Sequence, residues 1–161
     1  MMFVLLFLSM QFNPTNAELV AVRAAYWDAA QKKISTNAFA KKVDAADDGS
    51  AVMLAYKSMA LMFDARDAYN PYTKMSSFGK GKDLLESAVK KDLSNVEVRF
   101  LRFCVQSNAP FFLGYSGNID EDKAVILNNW SQLKDDDLKE KIKTFMLAND
   151  VVTSTEKKLL Q

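Results

Sequence analysis

The sequence predicts an all-α protein of about eight helices packed as stacked antiparallel pairs. Two observations predict it. Only five glycines and three prolines occur in 161 residues, against abundant Ala, Leu, Lys, Met and Glu, and a strand-rich chain of this size would need more turn residues. Apolar residues also recur three and four positions apart almost continuously from Leu19 onward, the spacing that paints one face of a helix. A chain of this length, about half apolar, can bury a sizeable core in one domain and is short for two.

The first seventeen residues, MMFVLLFLSMQFNPTNA, stand apart. An apolar block from Met2 to Met10 is followed by a polar, proline-containing stretch ending in Ala17, with the small residue Thr15 two places before it. This is the layout of a secretory leader, with cleavage expected between Ala17 and Glu18 and a single domain over 18–161. No Lys or Arg precedes the apolar block. The block is much shorter than the roughly 20 residues a bilayer crossing needs, and no cysteine follows it to carry a lipid. The expectation is export to the periplasm or beyond, without stable membrane insertion.

From Glu18, a first helix carries Leu19, Val22, Tyr26, Ala29 and Ala30, and a second Phe39, Val43 and Ala46. A third, from about Ser50 to Asp67, has Val52, Ala55, Met59, Met62 and Phe63 on one side and Leu54, Leu61 and Ala65 on another, which predicts burial on more than one side and a central position. After YNPYTKMSS, read as a loop, a fourth helix is expected over about 78–91. Ser94 and Glu97 have capping-box spacing and predict the start of a fifth, which ends before Pro110. A sixth is expected from Asn118 to about Leu133, a seventh capped by KDDD, and a short eighth from Thr153, with Glu156 three residues on.

Composition excludes much chemistry. The formal charge is +1, so no global field recommends nucleic acid or an anionic membrane. There is no histidine, and Cys104 is the only cysteine; this removes the usual zinc sites, Ser-His-Asp and Cys-His catalysis and any intrachain disulfide. The acids of DAADDG and KDDD lack the ligand spacing of a calcium loop and read as helix caps. No metal or cofactor is expected.

The fifth helix is unusual. On a helical wheel, Val96, Phe100, Phe103 and Cys104 form one side, Val98, Leu101 and Val105 a second, and Arg99, Arg102 and Gln106 a narrow third strip. Such a helix must be packed on most of its circumference, which leaves two readings of the arginines. They pair internally, with acids of NIDED or DARD, or they line a groove able to fork onto an anion. Beyond this helix, the segments YNPYTKMSS and SNAPFFLGYSGN place Tyr69, Tyr72, Phe111, Phe112 and Tyr115 at one end of the predicted stack. Those rings either seal the helix pairs or form a binding surface.

FGKGKDLLESAVKKDLSNVEVRF resembles the second half of a tetratricopeptide repeat running into the next, with Phe78 in the aromatic slot, Gly81 in the small slot, Ala88 in the alanine slot and Asp92 and Asn95 at the turn. Leu93 stands where that family usually has proline. The chain also resembles a group of small exported bacterial proteins, through AYKSMALMFDARDAYNPYTKMSSFGKGKDLL, VEVRFLRFCVQSNAPFFLGY and DKAVIL; that resemblance supplies no activity. What the repeat resemblance implies is a non-enzymatic binding or scaffold protein of the cell envelope that holds a peptide or protein partner. The candidate contacts are Arg99, Arg102, Gln106, Tyr72, Phe111, Phe112 and Tyr115. Two alternatives are a carrier for a hydrophobic small molecule, suggested by eight methionines, and a carboxylate-dependent hydrolase, for which no pair of acids stands in an apolar setting.

Overall fold

The computed structural model describes residues 16–47 and 49–161. Eight α-helices lie among them: α1 (Asn16–Ala30), α2 (Thr36–Ala45), α3 (Ala51–Asp67), α4 (Pro71–Lys91), α5 (Val96–Asn108), α6 (Ile119–Asn128), α7 (Asp136–Ala148) and α8 (Ser154–Lys158). Single 3-10 turns at Phe111–Leu113 and Trp130–Gln132 follow α5 and α6, and the described residues contain no strand. The apolar block expected to be a leader lies outside the described residues. Ala17 and Glu18, flanking the expected cleavage point, are exposed in the first turn of α1. No described helix is long and apolar enough to cross a membrane.

Side-chain caps set most of the helix starts. Ser35, Ser50, Asn95, Asp135 and Thr153 each accept a backbone N–H three residues on, satisfying donors that a first turn leaves unpaired. Thr153 and Glu156 complete the expected capping box. At α5 the expected box does not form. Asn95 caps instead, because Glu97 is buried and its carboxylate faces Arg23. The fourth helix also begins earlier than expected. Asn70 accepts from the N–H groups of Tyr72 and Thr73, and Pro71 takes the first helical position, where its missing N–H costs nothing. The segment read as a loop is thus two turns of helix. The sixth helix stops short of the expected Leu133: Asn129 turns its side-chain amide back onto the Val125 carbonyl, and a 3-10 turn follows.

Helix α3 is central. It is buried on several sides along its length and contacts α1, α2, α4 and α5. Its most extensive contact is with α4, where Ser58 Oγ donates to the Gly81 carbonyl at 2.7 Å. A methyl group on residue 81 would stand 3.1 Å from Met62 Cε and 3.3 Å from Leu61 Cβ, so the glycine sets how closely the two helices approach.

Two apolar clusters fill the molecule. One joins α1 to α5 around Tyr26, Phe39, Tyr56 and Phe63, with the Tyr26 and Phe63 rings stacked at 5.5 Å. The other joins α5, α6, α7 and the C-terminal residues around Phe100, Phe103, Ile126, Ile142 and Met146. Helix α5 is the wall between them: Val98 and Leu101 belong to the first, Phe100, Phe103 and Cys104 to the second. The third strip of its wheel faces α6.

Candidate functional site

That third strip is a buried ionic network. Asp122 in the first turn of α6 is fully buried. It accepts from Arg99 Nη1 at 3.0 Å and from Arg102 Nε and Nη2 at 2.8 and 2.7 Å. Arg99 also donates to Glu121 Oε1 at 2.6 Å and to the Leu93 carbonyl at 2.9 Å. The remaining nitrogen of Arg102 reaches Glu86 Oε2 on α4 at 2.9 Å. Burial works against the charge of Arg102, but the hydrogen bonds and charge of Asp122 outweigh it and raise its pKa. The hydrogen bond from Arg99 holds Glu121 below the usual carboxylate range. Of the two readings of the arginines, the structure therefore has internal pairing with acids of NIDED, and the groove-facing strip is corrected. The acids of DARD lie elsewhere; Asp67 takes the fork of Arg66 instead.

Gln106 and Tyr115 extend the same network. The Gln106 amide donates to Asn118 Oδ1 at 3.2 Å and accepts the Asn118 N–H at 3.1 Å, fastening the segment before α6 to the end of α5. Tyr115 is 5 % exposed. Its ring lies edge-on to Phe78 at 6.0 Å and its hydroxyl donates to Glu86 Oε1 at 2.6 Å. Burial, then the neighbouring carboxylate, push that hydroxyl's pKa up. Four of the seven sequence-predicted contact residues, Arg99, Arg102, Gln106 and Tyr115, are therefore internal fasteners.

The other three are exposed. Tyr72 lies on the first turn of α4 at 83 % exposure, and Phe111 and Phe112 lie on the 3-10 turn at 98 % and 79 %. That turn closes on Gly114, whose left-handed backbone (φ 57°) brings its N–H to the Phe111 carbonyl at 3.0 Å. Phe112 forms one wall of a cleft of about 620 Å³, open to solvent, between the C-terminal end of α1, α3, α4, α5 and the turn. Such a volume falls in the range of small-ligand and anchor-residue sites, about 300–1,000 Å³. Its surface is mostly apolar: Trp27, Met62, Met75, Phe78, Phe112 and Leu113 are among its walls.

No Asp or Glu among the described residues lines this cleft, and the charged residues among them that do are Arg66 and Lys74. Arg66 is already engaged. Its guanidinium forks onto Asp67 at 2.8 Å twice, reaches the Ala29 and Ala30 carbonyls, and lies 4.5 Å above the Phe63 ring. The Arg66 bond lowers the Asp67 pKa to about 2. Lys74 is exposed and makes only a 3.4 Å contact, to the Arg66 carbonyl. Cys104 also lines the cleft; burial pushes its thiol pKa well up, so it is held as the neutral thiol rather than the nucleophilic thiolate. A second, more polar cleft of about 530 Å³ adjoins the first, sharing Trp27, Asn108 and Phe145, and continues past Gln31 and Thr144 on α7's side.

Sequence reasoning missed the cleft floor and one further fastener, Arg23. This arginine is 1 % exposed. It forks onto Glu97 at 2.9 and 3.0 Å and reaches Asp135 and Asp137 at the start of α7, while Tyr56 donates to Glu97 Oε1 at 2.6 Å. One guanidinium thus ties α1 to α5 and the start of α7, and Glu97 carries the tie on to Tyr56 of α3. The available signal was its position on the apolar face of α1, between Leu19 and Tyr26. No group of His, Cys, Asp and Glu among the described residues is arranged to hold a metal ion. No protein-family model matches this chain, nor does any curated protein or any solved structure.

Proposed function

We propose that this chain is an exported, non-enzymatic binding protein of the cell envelope that holds a peptide or protein segment in the cleft beneath the Phe111–Leu113 turn. The supporting observation is the cleft itself: an open, mostly apolar concavity with the exposed ring of Phe112 in its wall and, among the described residues, no carboxylate in its lining to serve as general acid or base. Its methionines, Met59, Met62 and Met75, adapt their shape to different apolar side chains more readily than branched residues do. The tetratricopeptide-like reading of α4 and α5 is part of the proposal. It is supported by the close approach at Gly81 and by the full burial of Ala88.

The test uses a neutral apolar fluorophore, N-phenyl-1-naphthylamine, titrated onto the full chain. Saturable binding at one site is expected, weakened at least tenfold by Met75→Glu. Met75 is half exposed, so circular dichroism should give the same fold for the variant. Equal binding by the two proteins would place the dye elsewhere and overturn the cleft. Sequencing the N-terminus of the protein recovered from the envelope tests export: a start at Glu18 is expected, and an uncleaved Met1 overturns it.

A further inference from the structure

Four large apolar side chains stand in solvent around the cleft. Met75 and Phe112 are among its walls, Tyr72 precedes Met75 by one turn of α4, and Phe111 precedes Phe112 on the 3-10 turn. Tyr72 and Phe112 are about four-fifths exposed, Phe111 almost wholly so, and Met75 half. At about 200 Å² for a whole ring, these side chains offer roughly 600 Å² of mostly apolar surface. That is the top of the roughly 300–600 Å² that the largest apolar patch of a typical monomer reaches.

The same surface carries little charge. Residues 68–79 and 106–119 contain one charged residue between them, Lys74, in a chain of which a quarter is charged. Next to these segments, Arg66 is forked on Asp67, Lys82 lies over the Tyr115 ring and Glu86 accepts from the Tyr115 hydroxyl. Aromatic and methionine side chains with few charges are the composition of the core of a protein–protein interface. One lysine selects no partner by charge, so the partner must be read from shape.

The shape is complementary to itself. The surface holds an apolar hole of about 620 Å³ and, beside it, an apolar knob. Phe111 is not among the described residues that wall its own cleft; it stands clear on a turn closed by the hydrogen bond from the Gly114 N–H to its carbonyl. A knob that does not fill the hole of its own chain can fill that of a second copy, and a two-fold axis makes the contact twice because both copies present the same patch. We infer that this surface is a homodimer interface in which Phe111 of each copy enters the cleft of the other. The inference rests on the cleft proposed above as a binding site and names the segment that enters it. Two such patches bury about 1,200 Å², the lower edge of the 1,200–2,000 Å² of specific interfaces, which fits a reversible dimer of folded chains. The two faces would meet with like charges only, so salt should not weaken them.

The experiment is sedimentation velocity of the full chain from micromolar to near-millimolar concentration, beside Phe111→Ser and Phe111→benzoylphenylalanine, a photocrosslinking ring. A shift from one chain to two is expected, moved at least tenfold to higher concentration by Phe111→Ser at unchanged circular dichroism and not weakened by salt. Illumination should give a band of twice the mass, with the crosslink mapping to Met59, Met62 or Met75 in the cleft. N-phenyl-1-naphthylamine should compete, its binding per chain falling as the chain dimerises. A chain that stays monomeric overturns the inference, while dye binding then keeps the cleft as a site for a foreign segment. A dimer that Phe111→Ser leaves unchanged, or a crosslink mapping outside the cleft, overturns it in favour of another surface. Neither dimer nor dye binding removes the cleft reading as well.

Discussion

Replacing Asp122 with asparagine keeps the shape of the side chain and removes the charge at the centre of the α5–α6 network. In the native protein Oδ1 accepts from Arg99 and Arg102 and Oδ2 from Arg102 Nε. An asparagine can keep one of these oxygens. Its NH2 group then points at a guanidinium N–H, so at least one hydrogen bond becomes a donor–donor contact in a fully buried place. As carboxylate partners the two guanidiniums retain only the part-exposed Glu121 and Glu86. Breaking a buried pair in this way costs about 3–5 kcal/mol, a large share of the roughly 5–15 kcal/mol that holds a domain folded. For a chain of this size each kcal/mol moves the midpoint by about 2–4 °C, so Tm should fall by about 10 °C. Urea titration of Asp122→Asn beside Glu121→Gln separates buried from exposed charge, since Glu121 is half exposed and its pairing is worth about 1 kcal/mol or less. If Asp122→Asn costs no more than Glu121→Gln at equal m-value, the network is not what secures α6.

Three further outcomes follow from the same structure. Phe111→Ser with Phe112→Ser should leave urea stability within about 0.5 kcal/mol, because both rings are exposed and surface changes rarely exceed that, whereas adding Tyr115→Ser should melt the protein several degrees lower, since it removes a buried ring and the Glu86 bond. Arg23→Met strands Glu97 and should cost about 3–5 kcal/mol, measured by urea titration, with Arg23→Lys recovering only part because lysine cannot fork. Stability should be flat in pH between two limbs. Glu121, Asp135 and Glu156 have pKa values below their ordinary 4.5, 3.8 and 4.5, so the stability they contribute is present above those values and lost as pH falls through the depressed ones. Tyr26, Tyr56, Tyr115 and Cys104 have pKa values raised mainly by burial above 10.0 and 9.0, so their contribution is present below those values and lost as pH rises toward the raised ones. Thermal melts from pH 3 to 11 test this, and a transition near pH 6.5 would contradict it.

The helical class and the helix starts at Ser50, KDDD and Thr153 were legible because both are local. Glycine scarcity, apolar spacing and the Thr153–Glu156 box involve residues within a few positions of each other, and the three-sided wheel of α5 was also readable, with each side facing a different neighbour in the structure. What was not legible depended on distant partners. Glu97 had the right spacing to cap α5, but Arg23 on α1 competes for it, and no window around residue 97 contains that information. Asn70 and Pro71 were read as loop because Pro and aromatics cluster there, although the same pair is an efficient helix start. Tyr115 looked like its neighbours Phe111 and Phe112 in a segment of rings; only Glu86, on another helix, distinguishes it.

This division also explains how an aromatic turn can stay open beside the core. The Phe111–Leu113 turn contributes little burial of its own, since two of its three side chains, the rings of Phe111 and Phe112, stand in solvent. It is fixed from both sides instead. Before it, Asn108 donates its side-chain amide to the Cys104 carbonyl at the end of α5; after it, Tyr115 is anchored on Glu86 and Asn118 on Gln106. The turn therefore owes its position to polar fasteners before and after it in the chain, and the rings of Phe111 and Phe112 remain exposed. A variant that loosens the network, such as Asp122→Asn in its folded fraction, should weaken dye binding in the cleft although Asp122 itself is no part of the lining. Undiminished binding would mean that α5 alone positions the turn.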